Sequence, residues 1–354
     1  MTKSYSEIKV LVRKAITGGR YKANDRLPTD QELATHYRTS RLTVHRALRE
    51  LANEGLVCRG PSRGTRVSDP AKHIVGTVAV LLPEPLSPRG WGWMTPLGED
   101  LLESGIALVP YLCPNVSRGV QIANLLVRHP VLGVILVPPS HAESVEIIRV
   151  FQESNIPVVI EGKYELPGLK VGYVTTNHRQ GGRILGEHLI SLGHSKMAVI
   201  SGAHTQDAME RREGFSEAAV RAGCPLAQDL CFEVKHQREI PYLVRDLMKR
   251  TGRPTAIFGI NDYIALEVMV ALHELGVRVP KDCAVVGMGD EPMSKGTLSP
   301  LTTARAPLDQ EGHMLASVLL NIIRGRLSEP QEILFDYELV VRKSCGAERR
   351  EKGK

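Results

Sequence analysis

Apolar residues recur along this chain in two rhythms, and the change falls near residue 74. Before it the spacing is helical. Ile8, Leu11, Val12, Ala15 and Ile16 make one apolar face, opened by Ser4-Tyr5-Ser6-Glu7, which fits a capping box, and closed by Gly18-Gly19. Asn24-Asp25-Arg26-Leu27-Pro28 reads as a turn. Thr29 with Glu32 repeats the capping pattern, and Leu33, Ala34 and Tyr37 face inward. A third helix starts near Thr39-Ser40 and buries Val44, Ala47, Leu48 and Leu51 at i, i+3, i+4 and i+7. Gly55-Leu56-Val57 closes it. The segment from Cys58 to Val67, with glycines at 60 and 64, reads as a basic β-hairpin beside that helix.

Beyond a short polar linker, 68–73, the apolar runs become continuous. Ile74–Leu82, Gly133–Val137, Pro157–Ile160, Met197–Ile200, Ala256–Gly259 and Cys283–Gly287 read as buried strands. Helical segments near 117–129, 141–154, 178–192, 208–223, 239–250 and 261–275 separate most of them. Strand and helix in alternation predict parallel sheets covered on both faces. Ligands of such folds sit beyond the carboxyl ends of the strands, so the loops after these runs are where binding residues are expected.

Charge sharpens the division. Residues 1–73 carry 15 Lys and Arg against 7 Asp and Glu, while the remainder is close to neutral. The basic excess therefore sits where phosphate would be met. The six cysteines are scattered, with no C-x-x-C pair and no histidine at zinc-finger spacing, which suits a reducing cytosol with buried thiols and predicts no metal or cofactor. The N-terminus has no apolar signal segment, and no apolar run approaches a membrane span. Motifs of hydrolases, P-loop enzymes and dinucleotide-binding enzymes are missing from the sequence, which argues against an enzyme.

Two helices joined by a tight turn, the second opening on cationic and polar side chains, are how proteins read base edges in the major groove. Ser40, Arg41, Thr43, His45 and Arg46 occupy the first turns, and Arg49 lies further along, better placed for phosphate. The hairpin serves as a wing whose Gly64 lets backbone enter the minor groove, with Arg63 and Arg66 suited to its negative potential. Residues 4–67 resemble the winged helix-turn-helix of the GntR family: L-P-T-D-Q-E-L-A, then S-R-L-T-V-H-R-A-L, then E-G-L-V and R-G-P-S-R-G-T. By that resemblance the base-contacting positions fall on Gln31, Arg41, Thr43 and His45, with Gly64 at the wing tip. Gln31 and His45 stand where arginine is usual. Glutamine pairs with adenine and arginine with guanine, so an altered operator is expected.

The larger part, 74–345, carries a second series: Asn177-His178-Arg179-Gln180-Gly181-Gly182, Arg211-Arg212-Glu213-Gly214-Phe215, Pro254 to Asp262, Gly276 to Pro280 and Ser299 to Thr303. It resembles the effector domain of LacI-type repressors, itself similar to periplasmic sugar-binding proteins. A GntR-type head on such a body resembles the arabinose-repressor subgroup. The resemblance implies two α/β lobes around a cleft, about 74–175 with 304–328 and 176–303 with 329–345, then a disordered tail over 346–354. A carboxylate accepts from vicinal hydroxyls and a guanidinium donates to sugar oxygens. The resemblance gives these roles to Asp262 and Arg211. Asn177 and Gly289 stand where the family has Asp, leaving Asp290. Glu161 and Lys163 fall near a further ligand position. Trp91 and Trp93, just after the first strand of the body, either stack on a sugar or plug the core.

The expected whole is a cytoplasmic, nucleoid-associated bacterial repressor. A homodimer would read a palindromic double-stranded operator, and a sugar-like effector in the interlobe cleft would control it, with no membrane involved. The alternative is a body that only dimerises and binds no ligand.

Overall fold

A computed structural model describes residues 4–53, 56–60, 64–68, 76–83, 88–129, 131–138, 144–164, 166, 168–202, 205–327 and 329–347. Arg63, the linker after Ser68, Ile74, Val75 and the tail after Ala347 lie outside the described residues.

The head is three helices and a hairpin, as the periodicity predicts: α1 (Tyr5–Thr17), α2 (Asp30–Tyr37), α3 (Arg41–Asn53), β1 (Val57–Gly60) and β2 (Gly64–Val67). Both capping boxes form. The Ser4 amide donates to Glu7 Oε2 at 2.8 Å and the Thr29 amide to Glu32 Oε2 at 2.7 Å, with the reciprocal bonds also present. Ile8, Val12, Leu33, Val44, Leu48, Leu51, Val57 and Val67 share one core. β1 and β2 pair antiparallel. The hairpin is held by main-chain bonds to the segment before α2: Leu27 N to Thr65 O (2.9 Å), Asn24 N to Val67 O (3.0 Å) and Val67 N to Asp25 O (2.9 Å).

The body holds two six-stranded sheets. Its first elements are β3 (Gly76–Leu82), α4 (Pro88–Glu103), β4 (Ile106–Leu112), α5 (Val116–Arg128), β5 (Gly133–Leu136), α6 (Ser144–Glu153), β6 (Val158–Glu161) and β7 (Gly172–Thr176). Then follow α7 (His178–Ser191), β8 (Met197–Ser201), α8 (Gln206–Arg221), β9 (Cys231–Glu233), α9 (Ile240–Lys249), β10 (Ala256–Gly259), α10 (Asp262–Glu274), β11 (Ala284–Met288) and β12 (Thr302–Arg305). The chain ends with α11 (Leu308–Ile323), β13 (Glu332–Phe335) and β14 (Glu338–Val340). One sheet runs β13-β7-β6-β5-β3-β4 and the other β14-β12-β11-β10-β8-β9. The pairs β3–β4, β3–β5, β5–β6, β8–β9, β8–β10, β10–β11 and β11–β12 are parallel, and β14 runs antiparallel to β12. The described parts of the chain divide into two compact units, one holding the head and 76–83 with 94–173 and 312–331, the other holding 88–93 with 174–311 and 332–347. β12 and the start of α11 thus fall in the second unit, some residues later than the sequence suggested.

Within the second unit, α7 and α8 pack backbone to backbone. A Cβ on Gly182 would lie 1.9 Å from the Arg211 carbonyl oxygen, and one on Gly214 would lie 1.8 Å from the Arg179 oxygen. Only glycine permits that approach. Gly214→Ala should therefore destabilise the protein by roughly 3 kcal/mol, the upper part of the range for overpacking, because the obstacle is main chain and cannot rotate away. Urea unfolding of the variant against the parent measures this, and an unchanged midpoint would show that the helices can part.

Candidate DNA-reading surface and effector site

α3 buries Val44, Ala47, Leu48 and Leu51 completely, which turns Arg41, Leu42, His45, Arg46 and Arg49 outward. Its start is pinned: the Thr43 amide donates to Ser40 Oγ at 3.1 Å, and the two hydroxyls lie 2.8 Å apart. His45 Nδ1 sits 2.9 Å from Asp30 Oδ2, tying the first turn of α3 to that of α2, where Gln31 is exposed. Arg46 differs from its neighbours. Its guanidinium lies 4.1 Å from the Tyr5 ring centroid and 3.9 Å from Glu50, so it is folded back on α1 and α3 rather than extended. Arg66 donates to the Asn24 carbonyl at 2.8 Å and so braces the wing. Gly64 has a φ of +69°, the left-handed conformation a tight wing needs.

In the second unit, the crossing of α7 and α8 brings four side chains together. His178, buried at 3 % exposure, has Nδ1 at 2.9 Å from the Tyr337 hydroxyl and Nε2 at 3.1 Å from Asp207 Oδ2. Arg211, 8 % exposed, points Nε at His178 Nδ1 (3.4 Å), donates to the Ile260 carbonyl (3.1 Å) and lies 3.9 Å from Asp207. Arginine can only donate, so Nδ1 accepts and the ring proton points at Asp207. The Tyr337 hydroxyl continues the chain to Thr176 Oγ1 at 3.0 Å. Arg211 is the one residue of this group that the sequence singled out as a site. His178 lay inside a quoted motif, but Asp207 and Tyr337 carried no sequence signal.

The expected carboxylates are already engaged. Asp262 is wholly buried: Oδ1 accepts from the Thr303 hydroxyl at 2.6 Å and Oδ2 from the Glu291 amide at 2.8 Å. It braces α10 to β12 and the loop after β11, with both oxygens already accepting within the fold. A Cβ on Gly287 would meet its Oδ1 at 2.4 Å, so that glycine makes room for it. Burial pushes the Asp262 carboxyl up to about 6, against the two hydrogen bonds that favour its charged form. Asp290 is clamped by Arg305 Nε at 2.7 Å and by Arg342. Burial raises its carboxyl, but the two guanidinium groups outweigh burial and hold it below the ordinary value. Asn177 caps α7, accepting from Gln180 N at 3.1 Å, and donates to Asp336 at 2.9 Å. Its place is structural too.

Trp91 and Trp93 lie on α4 rather than in a loop. Trp93 is buried, with no open ring face for stacking. The Trp91 side chain lies outside the described residues. Glu161, half-buried, ends β6 in the first unit, and Lys163 is exposed two residues on. No group of three His, Cys, Asp or Glu gathers as for a metal, and no helix is long and apolar enough to cross a membrane, among the described residues.

Two family models match the chain: bacterial regulatory proteins of the gntR family over residues 4–67, and a periplasmic binding protein-like domain over 187–345. An arabinose metabolism transcriptional repressor of Geobacillus stearothermophilus is 29 % identical across 96 % of this chain and 97 % of its own length. The repressor PurR of Actinobacillus pleuropneumoniae is 30 % identical across 70 % of this chain and 74 % of its own. Among solved structures, a complex of the transcriptional regulator CelR with cellobiose covers 86 % of this chain and 90 % of that one, with a TM-score of 0.69 and 26 % identity.

The buried Asp262 generates a pH signature. Its folded value lies above the unfolded one, so its contribution is complete below about 4 and is lost as pH rises through about 6. Asp262→Asn removes the titration. Between pH 7.5 and 5 the parent should gain roughly 1.4 kcal/mol of stability relative to the variant. Burial lowers His188, which gives an opposite slope, but that slope is common to both proteins and cancels. Denaturation midpoints measured across this range decide it; parallel profiles would mean that Asp262 ionises as freely folded as unfolded.

Proposed function

Since residues 4–67 carry the head of the gntR family of bacterial regulatory proteins, and the chain is a DNA-binding transcriptional repressor rather than an enzyme, we propose that a sugar or sugar derivative sets its grip on the operator. The observation that carries this reading is the Arg211–Asp207–His178 group in the second unit. A guanidinium and a partly exposed carboxylate side by side offer donors and acceptors in the alternation that vicinal hydroxyls require. The relatives point the same way: one is named for arabinose metabolism, and the CelR structure holds cellobiose. Such a regulator acts on DNA in the bacterial cytoplasm. Arg41, Gln31 and His45 are its reading residues, while Arg49, Arg66 and the wing serve phosphate and minor groove.

A second reading has its own support. In it Asp262 and Asp290 are consumed inside the fold, Gly289 offers no side chain, and the body serves only for dimerisation. Thermal unfolding with L-arabinose, cellobiose and a panel of other sugars separates the two. A ligand at 100 times its Kd adds about 2.7 kcal/mol, and Arg211→Ala should abolish that gain. No stabilisation by any sugar would favour the dimerisation reading.

Both readings use a homodimer on a palindrome whose half-sites lie about one helical turn apart. Within the second unit α10 and the loop before β12 frame an apolar groove of about 800 Å³, lined by Leu266, Met269, Val270, Val277, Met293 and Leu298. Leu298 is 95 % exposed and Val270 and Met293 about half. Apolar surface of that kind, concentrated on one face, fits a second copy of the chain. Leu298→Glu combined with Val270→Glu should convert the protein to a monomer in sedimentation experiments and weaken operator binding at least tenfold. A double variant that stays dimeric would place the interface elsewhere.

A further inference from the structure

Leu42 is the second residue of α3 and is 82 % exposed. Among the described residues of the head, it and Val10 on α1 are the large apolar side chains left in solvent. Helical spacing puts Leu42 on one stripe with His45, Arg46 and Arg49, opposite the face that Val44, Ala47, Leu48 and Leu51 bury. Its neighbours in the chain are Arg41 and Thr43, so it stands alone among polar and charged groups. A single leucine in such surroundings is too small a patch to hold a protein partner. In the free head its exposure gains nothing, because the apolar surface stays in water.

The rest of the first turn is already oriented. Ser40 and Thr43 share a hydrogen bond, and His45 is tied to Asp30. Leu42 is therefore carried on a stiffly held turn, beside an exposed arginine. That turn is the part of such a helix that meets base edges. A leucine can neither donate nor accept a hydrogen bond. In the major groove the only apolar feature a base pair offers is the C5-methyl group of thymine. We propose that Leu42 reads a thymine methyl in each operator half-site, at the step next to the base read by Arg41. The inference rests on α3 being the helix that enters the groove. It adds a specificity that hydrogen-bonding residues cannot supply: discrimination of thymine from a base that lacks only the methyl.

Full-length protein is used to select duplexes from a random pool. Each thymine of the selected half-site is then replaced in turn by deoxyuridine, which removes the methyl and nothing else. Fluorescence anisotropy of the wild type should show one position per half-site where the replacement weakens binding about three- to fivefold, the effect of exposing one methyl. Leu42→Ala should bind the thymine and uracil duplexes alike at that position. Leu42→Met, which keeps the apolar reach, should retain the preference. A wild type indifferent to uracil at every position, or a Leu42→Ala protein with the same loss as wild type, overturns the proposal while leaving α3 as the reading helix. Failure to enrich any duplex overturns both.

Discussion

The crossing of α7 and α8 is the constraint on which the second unit depends. Two helices normally keep 8–10 Å between axes because side chains stand between them. Here Gly182 and Gly214 remove those side chains, and each glycine faces the carbonyl of the other helix. The consequence reaches beyond packing. His178 is the first residue of α7, while Asp207 and Arg211 lie one turn apart on α8. Only a contact this close lets an imidazole, a carboxylate and a guanidinium share hydrogen bonds at one level. Tyr337, brought in after β13, then closes the group by bonding the far side of the imidazole. The site is thus a product of two missing Cβ atoms.

A second device works in the same unit, among α10, β12 and the loop after β11. Asp262 and Asp290 are joined through the Thr303 hydroxyl, which accepts from the Asp290 amide and donates to Asp262, and through the Glu291 amide next to Asp290, yet they handle charge differently. Asp290 meets two arginines and stays ionised. Asp262 meets a hydroxyl and an amide, neither of which carries charge, and burial shifts it toward the neutral form. The arrangement joins α10, β12 and the loop after β11, and below about pH 6 it does so with Asp262 neutral.

Much of this was legible in the chain. Capping boxes at Ser4 and Thr29, the apolar face of α3 and the six strands β3, β5, β6, β8, β10 and β11 are local patterns, and they form where the periodicity put them. α4 was hidden because Gly90, Gly92 and Pro96 read as breakers; tertiary packing overrode them, with Trp93 buried and Gly92 set against Leu308. β4 was hidden by Pro110, yet β4 is an edge strand, where a missing amide costs little. The partners of the candidate site residues were hidden for a different reason. Asp262 finds Thr303 at 41 residues' separation and Asp290 finds Arg342 at 52, so nothing local distinguishes a carboxylate held by the fold from one offered to a ligand. His178 and Tyr337, 159 residues apart, could not be paired at all.

Arg46 carries the same lesson into the head. Sequence position puts it among the base-reading residues, one turn past Leu42. Geometry stacks it on Tyr5 of α1, where the cation and the ring face attract each other and Glu50 adds a weak ion pair. To reach DNA, Arg46 must give up the ring contact, so only part of its attraction to phosphate would appear as affinity. Arg41 has no such partner among the described residues and gives up nothing. Two arginines in one helix therefore differ in what they can contribute, because the free protein has already used one of them to hold α1 against α3.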